Sequence, residues 1–505
     1  MSFFWGAMVK IFFARDKTSA NKLSADLKRG KLKRVYHGIY ADDLQTANAE
    51  IVQKNWMNII AYIVPGGILS FRSALDLCLI PYENNKMVVF MTSTYNKTIT
   101  LPGLVIKIYS GDNKHFTEQI HPDLLRTNEA RTLLENLSAT RRLRGIKTVS
   151  TEELETRLAK ILHNRGEYAL NNLRDQARKI SCPLNLLKEF EKLNAMISAL
   201  LSTHKEGAIL TSTYAKAMMK KEPYDVGRVQ LFTDLSIYLQ KCDFIQRNYT
   251  YEKTTFKSLS FFESYFSNYI EGTRFMLDEA EDIIFSGKTI NNRHADSHDV
   301  LANFWICNDY IEVSKAPDSP RDLINLLQSR HATLMHERPE VTPGSFKARD
   351  NRAGNTFFVR AQDVVGTLTQ AFDIYKTLPD GVHKALFIHF VVSEVHPFND
   401  GNGRMSRIML NAELVKEQQY KIIIPNVYRD SYMGALRAVT RDSYFLAYCK
   451  MMDRAQAYTA SIPWEDYAAA RGKIEADRAE QEADEGLPIF NRAIQKLTLT
   501  EFSNN

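Results

Sequence analysis

Between His396 and Arg407 the chain reads HPFNDGNGRMSR, which brings a base, a carboxylate, two glycines and two arginines together within twelve residues. His396 is a side chain that stays largely neutral yet basic near pH 7. Gly401 and Gly403 let main-chain N–H groups converge where a helix begins, and the helix dipole adds a positive end, so this is an anion nest. Arg404 and Arg407, three apart, face one side and can fork onto phosphate oxygens. Asp400 offers the hard oxygen that Mg²⁺ needs beside phosphates. The combination predicts phosphoryl or nucleotidyl transfer, with metal-assisted stabilisation of charge on the leaving group.

These groups need rigid elements to hold them. Leu386, Phe387, Phe390, Val391 and Val395 recur at helical spacing and predict one buried face, ended by Pro397, which lacks an N–H and clashes with the preceding turn. His396 then sits at the end of a rigid helix, and Phe398 can anchor the loop in the core. Met405, Ile408, Met409 and Leu410 mark a second helix opened by Gly401-Asn402-Gly403. Two rival phosphate motifs fail. Ser286-Gly287-Lys288-Thr289 has Asp282 where a phosphate-binding loop requires its first Gly, and Gly401-x-Gly403-x-x-Ser406 lacks the third Gly of a dinucleotide fingerprint.

The chain has 505 residues, 44% hydrophobic and 25% charged, with 22 Gly and 15 Pro, which excludes a disordered or collagen-like polymer. Its longest apolar run falls short of a membrane span. The start, MSFFWGAMVKIFF, has no leading positive charge and no small-residue cleavage site, so it predicts a buried first element rather than a signal peptide. Cys78, Cys182, Cys242, Cys307 and Cys449 are scattered and odd in number, and a reducing, cytoplasmic setting is expected. The net charge of +6 is unevenly placed: residues 1–150 hold 21 Lys and Arg against 12 Asp and Glu. Residues 10–34 carry nine basic side chains against Asp16 and Asp26. That asymmetry predicts a polyanion partner for the N-terminal region alone.

Along the chain, residues 1–127 predict a small α+β domain, 128–260 a helical connector and 261–460 a mainly α catalytic domain. A charged, solvated helical tail that frays at its end is expected over 461–505.

The HPFNDGNGRMSR run resembles the signature of the Fic (Fido) family at every fixed position. The resemblance implies a mainly helical core with a β-hairpin flap, transferring AMP from ATP to a Ser, Thr or Tyr hydroxyl of a target protein or of itself. It implies His396 as the catalytic base and Asp400 as the Mg²⁺ ligand. Asn399, Gly401, Asn402, Gly403, Arg404 and Arg407 become the ATP- and phosphate-binding set. GSFKARDNRAGNTFFV (344–359) occupies the place of the flap, with Gly354, Asn355 and Thr356 at its turn, where a target segment would add as a strand. Removal of AMP, transfer of another nucleotide or of phosphocholine, and a non-enzymatic ATP-sensing regulator are the alternatives the resemblance leaves open, as it leaves open a homodimer.

Many members of that family carry an inhibitory helix of pattern Ser/Thr-x-x-x-Glu-Gly/Asn, whose Glu pairs with the second motif arginine. Two segments fit, Ser202…Glu206-Gly207 and Ser267…Glu271-Gly272. The second follows Phe262, Tyr265, Phe266, Tyr269 and Ile270, a helical stripe able to dock on a core and hold one carboxylate still. Ser267, Glu271 and Gly272 are therefore assigned as the brake, acting on Arg407. Residues 18–110, with LKRGKLKRVYHGIY and GGILSFRSALDL, resemble the N-terminal part of AbiEi-type antitoxin and regulator proteins. This implies a winged-helix-like domain that binds DNA through a basic helix and through Lys31, Lys33 and Arg34.

Overall fold

A computed structural model describes residues 10–138, 143, 145–201 and 210–502. The chain is mainly helical and divides into two compact units, Met1–Lys221 and Glu222–Asn505. Residues 1–9, expected to form a buried first element, and the Ser202–Gly207 segment lie outside the described residues.

The N-terminal unit begins with a three-stranded antiparallel sheet, in which Ile39–Ala41 lies between Ile11–Phe13 and Lys33–Tyr36. Helix Lys17–Lys28 is capped by Asp16, whose carboxylate accepts from the Ser19 N–H at 2.7 Å. Gly38 turns the chain between two of the strands at φ +73°, and a Cβ there would meet the Tyr62 hydroxyl at 2.5 Å. A second, mixed sheet follows, with Met87–Ser93 and Leu104–Ser110 paired in parallel at its centre. Both faces of these strands are covered. Val89, Met91, Ile106 and Ile108 pack with Ile51, Ile59 and Ile60, while Val88, Phe90 and Val105 pack on the other side with Ile80. The unit is completed by helices Thr151–Ser181 and Leu187–Leu200.

The C-terminal unit is built around helix Val382–Val395, which is buried on nearly every side rather than on one face. The apolar run there is continuous enough for helices to pack all round it. Helix Asn402–Lys416 follows and is likewise almost wholly buried. Helix Lys253–Ile270 runs across residue 260, so the expected boundary between connector and catalytic domain falls inside one element. Its aromatic stripe joins a single core with Leu231, Phe387 and Phe390. The tail is also different from its expectation. Trp464, Ala470, Ile474, Phe490 and Ile494 are buried in that same core, and the Thr500 hydroxyl donates to Asp453 at 2.7 Å. Ala470/Ile474 and Phe490/Ile494 are each four apart, so each helix has an apolar line that its many charges conceal.

Candidate active site

His396 takes the left-handed conformation, φ 51° and ψ 58°, and ends the central helix one residue before Pro397. Its ring lies flat on Phe358 with centroids 3.7 Å apart. Nδ1 is 3.3 Å from the Ser393 carbonyl, so that nitrogen carries the proton and Nε2 is left as the basic atom. Burial pushes the imidazole from 6.5 down to about 4, with the Lys347 ammonium adding and the Ser393 carbonyl opposing. The ring is neutral at pH 7.

The loop after His396 is braced from inside. Phe398 stacks on His331 at 3.7 Å. The His331 ring accepts at Nδ1 from the Gly344 N–H at 2.9 Å, which fixes Nε2–H as the donor to the Asp400 carbonyl at 3.0 Å. The Lys347 ammonium donates to Asn351 at 2.7 Å and to the Val395 carbonyl at 3.3 Å, and Asn351 in turn donates to the Phe398 carbonyl at 3.0 Å. Asn402 belongs to this bracing. Its side chain accepts from the Phe398 N–H at 2.8 Å and donates to the Phe398 carbonyl at 2.9 Å, so the amide expected to hold phosphates closes the loop in this structure. Asn399 is exposed, 3.4 Å from the Val341 carbonyl and 3.3 Å from Thr342 Oγ1. Asp400 is exposed as well, with Oδ1 accepting from the Gly401 N–H at 2.7 Å. Gly401 has φ +74°, and a Cβ there would meet Met335 Sδ at 2.9 Å, so both conformation and space require glycine.

Both motif arginines are buried and turned toward helix Lys253–Ile270. Arg407 Nη2 donates to Glu271 Oε1 at 2.7 Å and to the Ser267 carbonyl at 2.9 Å, while Nε donates to Ser267 Oγ at 2.9 Å. Glu271 ends that helix, and Gly272 leaves it at φ +94°. The same carboxylate reaches the nest: a Cβ on Gly403 would lie 2.1 Å from Glu271 Oε1. Arg404 is held differently. It forms an ion pair of 2.9 Å with the buried Asp299 and donates to Asn268 at 3.3 Å. Asp299 is shared with Arg338, whose Nε is 2.9 Å away. An anionic ligand must therefore compete with carboxylates already in place on both arginines.

The hairpin is present. Arg352–Ala353 pairs with Thr356–Phe357 across a Gly354-Asn355 turn, with Gly354 at φ +56°. The Arg228 guanidinium donates to the Phe357 carbonyl at 2.8 Å and pairs with Glu394 at 2.7 Å, linking hairpin to central helix. Beside it lies a groove of about 660 Å³ lined by Arg228, Asp350, Phe357, Phe358 and Arg360 among others. His331, Lys347, Asn351, Asp299 and Arg228 were not singled out by sequence. The only signal was the Lys347-to-Asn351 spacing inside the hairpin segment, because their partners lie tens of residues or more away along the chain.

A helical unit with a His–Pro corner, an anion nest on the next helix and a hairpin alongside defines the class, and residues 323–414 match the model of the Fic/DOC family. The match places a Fic/DOC family domain within the C-terminal unit. The chain is similar to the protein adenylyltransferase Fic of Drosophila willistoni, 25% identical over 219 residues that cover 41% of this chain and 44% of that protein. It is similar also to the protein adenylyltransferase Fic of Drosophila melanogaster, 24% identical over 219 residues, with 41% and 44% covered. The aligned part is thus under half the length of these curated relatives. Among solved structures, a Fic domain containing signaling protein from Bacteroides thetaiotaomicron aligns with a TM-score of 0.37 at 17% identity, covering 48% of this chain and 98% of that one. Fic-1 from C. elegans aligns with a TM-score of 0.34 at 17% identity, covering 64% and 90%. No described helix is long and apolar enough to cross a membrane.

Proposed function

We propose that the C-terminal unit transfers AMP from ATP to a hydroxyl of a target protein or of this chain itself, and that Glu271 restrains it. The observation that carries this reading is the carboxylate of Glu271 lying against Gly403 while paired with Arg407. The carboxylate occupies space beside the start of helix Asn402–Lys416, where a phosphate oxygen fits equally well. In the transfer, the target oxygen forms a bond to the α-phosphorus, the bond to the pyrophosphate oxygen breaks, and the hydroxyl proton passes to His396 Nε2. Gly403, at the helix start, supplies a main-chain donor, and Arg407, once released, supplies a fork to the polyphosphate. Asp400, exposed and with a carboxylate oxygen beyond its own turn, would hold Mg²⁺, which supplies charge neutralisation on the polyphosphate. Arg228 and Phe357 keep the hairpin beside His396, where an extended target segment pairs with its edge. Mass spectrometry of the chain and of co-incubated proteins after exposure to Mg²⁺-ATP tests this: adducts of AMP mass on hydroxyl side chains support it, and adducts of phosphate mass oppose it.

For the N-terminal unit we infer binding to duplex DNA through exposed Lys31 and Arg34 beside helix Lys17–Lys28. Lys33, included in that set from sequence, donates instead to the Thr46 carbonyl. Affinity should fall steeply with salt, and replacing Lys31 and Arg34 by Ala should flatten the slope. Salt-insensitive or absent binding by the full chain removes this reading.

A further inference from the structure

The brace behind Arg404 ends in a cluster of a different chemistry. His298 lies on helix His294–Asn308, and His336 and Glu337 lie just beyond helix Pro320–Leu334. One ligand-type atom from each of the three comes within 4.8 Å of the others. The two imidazole centroids are 6.0 Å apart, and His336 Nδ1 is 3.2 Å from Glu337 Oε1. His298 Nδ1 is closed off from solvent and has no hydrogen-bond partner among the described residues. None of these three side chains has a part in the transfer proposed above.

We propose that His298, His336 and Glu337 form a binding site for a divalent first-row transition cation, of which zinc is the type. Two imidazoles and one carboxylate are the donor set of borderline cations, whereas Mg²⁺ and Ca²⁺ take oxygen ligands throughout. Bonds of about 2.0–2.2 Å require the donors to draw closer than they stand. Side-chain rotation supplies the movement, because His336 and Glu337 are 74% and 56% exposed. Three protein ligands leave a position for water. The neighbouring Arg338 cation does not forbid the charge, since Asp296 at 2.8 Å and Asp299 at 2.9 Å both pair with it.

The site is joined to the nucleotide arginines by the chain itself. His298 precedes Asp299, which holds Arg404, and Glu337 precedes Arg338, which holds Asp299. A cation shared by the two segments clips together the partners of that ion-pair brace and fixes Arg404 through them. Binding to the folded state alone also raises its stability in proportion to occupancy.

The test is calorimetric titration of Zn²⁺ into the untagged full chain after chelator treatment, with Mg²⁺ as the contrast. One equivalent should bind. His336→Ala and His298→Ala should each weaken binding by more than the roughly 10–100-fold expected from loss of a hydrogen bond that merely orients a ligand. Millimolar Mg²⁺ should not compete. His336 is exposed enough that its replacement leaves the fold intact, so the test survives if the His298 variant misfolds. Absence of a stoichiometric event, or unchanged affinity in His336→Ala, overturns the proposal. Neither outcome depends on AMP transfer.

Discussion

Replacing Glu271 by Gly removes two obstacles at once. One is the 2.7 Å ion pair with Arg407, and the other is the carboxylate that lies where a Cβ on Gly403 would collide at 2.1 Å. A charge-assisted hydrogen bond contributes roughly 1.5–3 kcal/mol. The Glu271 side chain is 29% exposed and solvent screens it, so the lower part of that range applies, about 1.5–2 kcal/mol. At 1.4 kcal/mol per decade this corresponds to a gain of about 10- to 30-fold in transfer. The assay is the initial rate of self-modification with α-labelled ATP, alongside the nucleotide affinity of the same variant. Glu271→Gln keeps the shape but not the charge and should fall between wild type and Glu271→Gly. Arg407→Ala should not mimic the activation, because it removes a phosphate contact together with the brake. An unchanged rate in a folded Glu271→Gly protein refutes the reasoning, as does equal activation by Glu206→Gly.

Two further outcomes follow from the buried groups around the site. His331 and His389 are held neutral chiefly by burial, at about 4 and about 3. The unfolded chain takes up these protons near 6.5, so stability is lost as pH falls through 6.5 toward 4. The loss is about 2 kcal/mol for each by pH 5, and thermal melts at pH 7 and pH 5 that coincide contradict it. Asn402→Ala strips the Phe398 N–H of its partner and should cost about 1–3 kcal/mol in denaturant unfolding, whereas Asn399→Ala, exposed, should cost little; equal effects would place Asn402 outside the brace.

The motif and the corner that carries it were legible in sequence because their parts are contiguous. A helix stopped by Pro397, a turn needing Gly401 and a helix opened at Asn402 follow from local rules alone. The docking of the helix that Glu271 ends was legible too, from the aromatic stripe before it. The bracing by Asn402 was not legible for a short-range reason: its partner is the main chain of Phe398 four residues back, and residue type alone does not tell a loop brace from a ligand donor. Asp299 and His331 were missed because they meet the motif only through packing of separate helices. In the tail, charge content hid the four-residue spacing of Ala470/Ile474 and Phe490/Ile494.

The most direct measurement follows the two ends of ATP separately. Incubated with Mg²⁺ and ATP labelled on either the α- or the γ-phosphate, the Glu271→Gly protein should incorporate α-label and no γ-label onto hydroxyl side chains. The added change His396→Ala should abolish incorporation while leaving nucleotide binding largely intact, because the base acts in the transition state. Incorporation of γ-label, or α-label transferred at full rate without His396, contradicts the account.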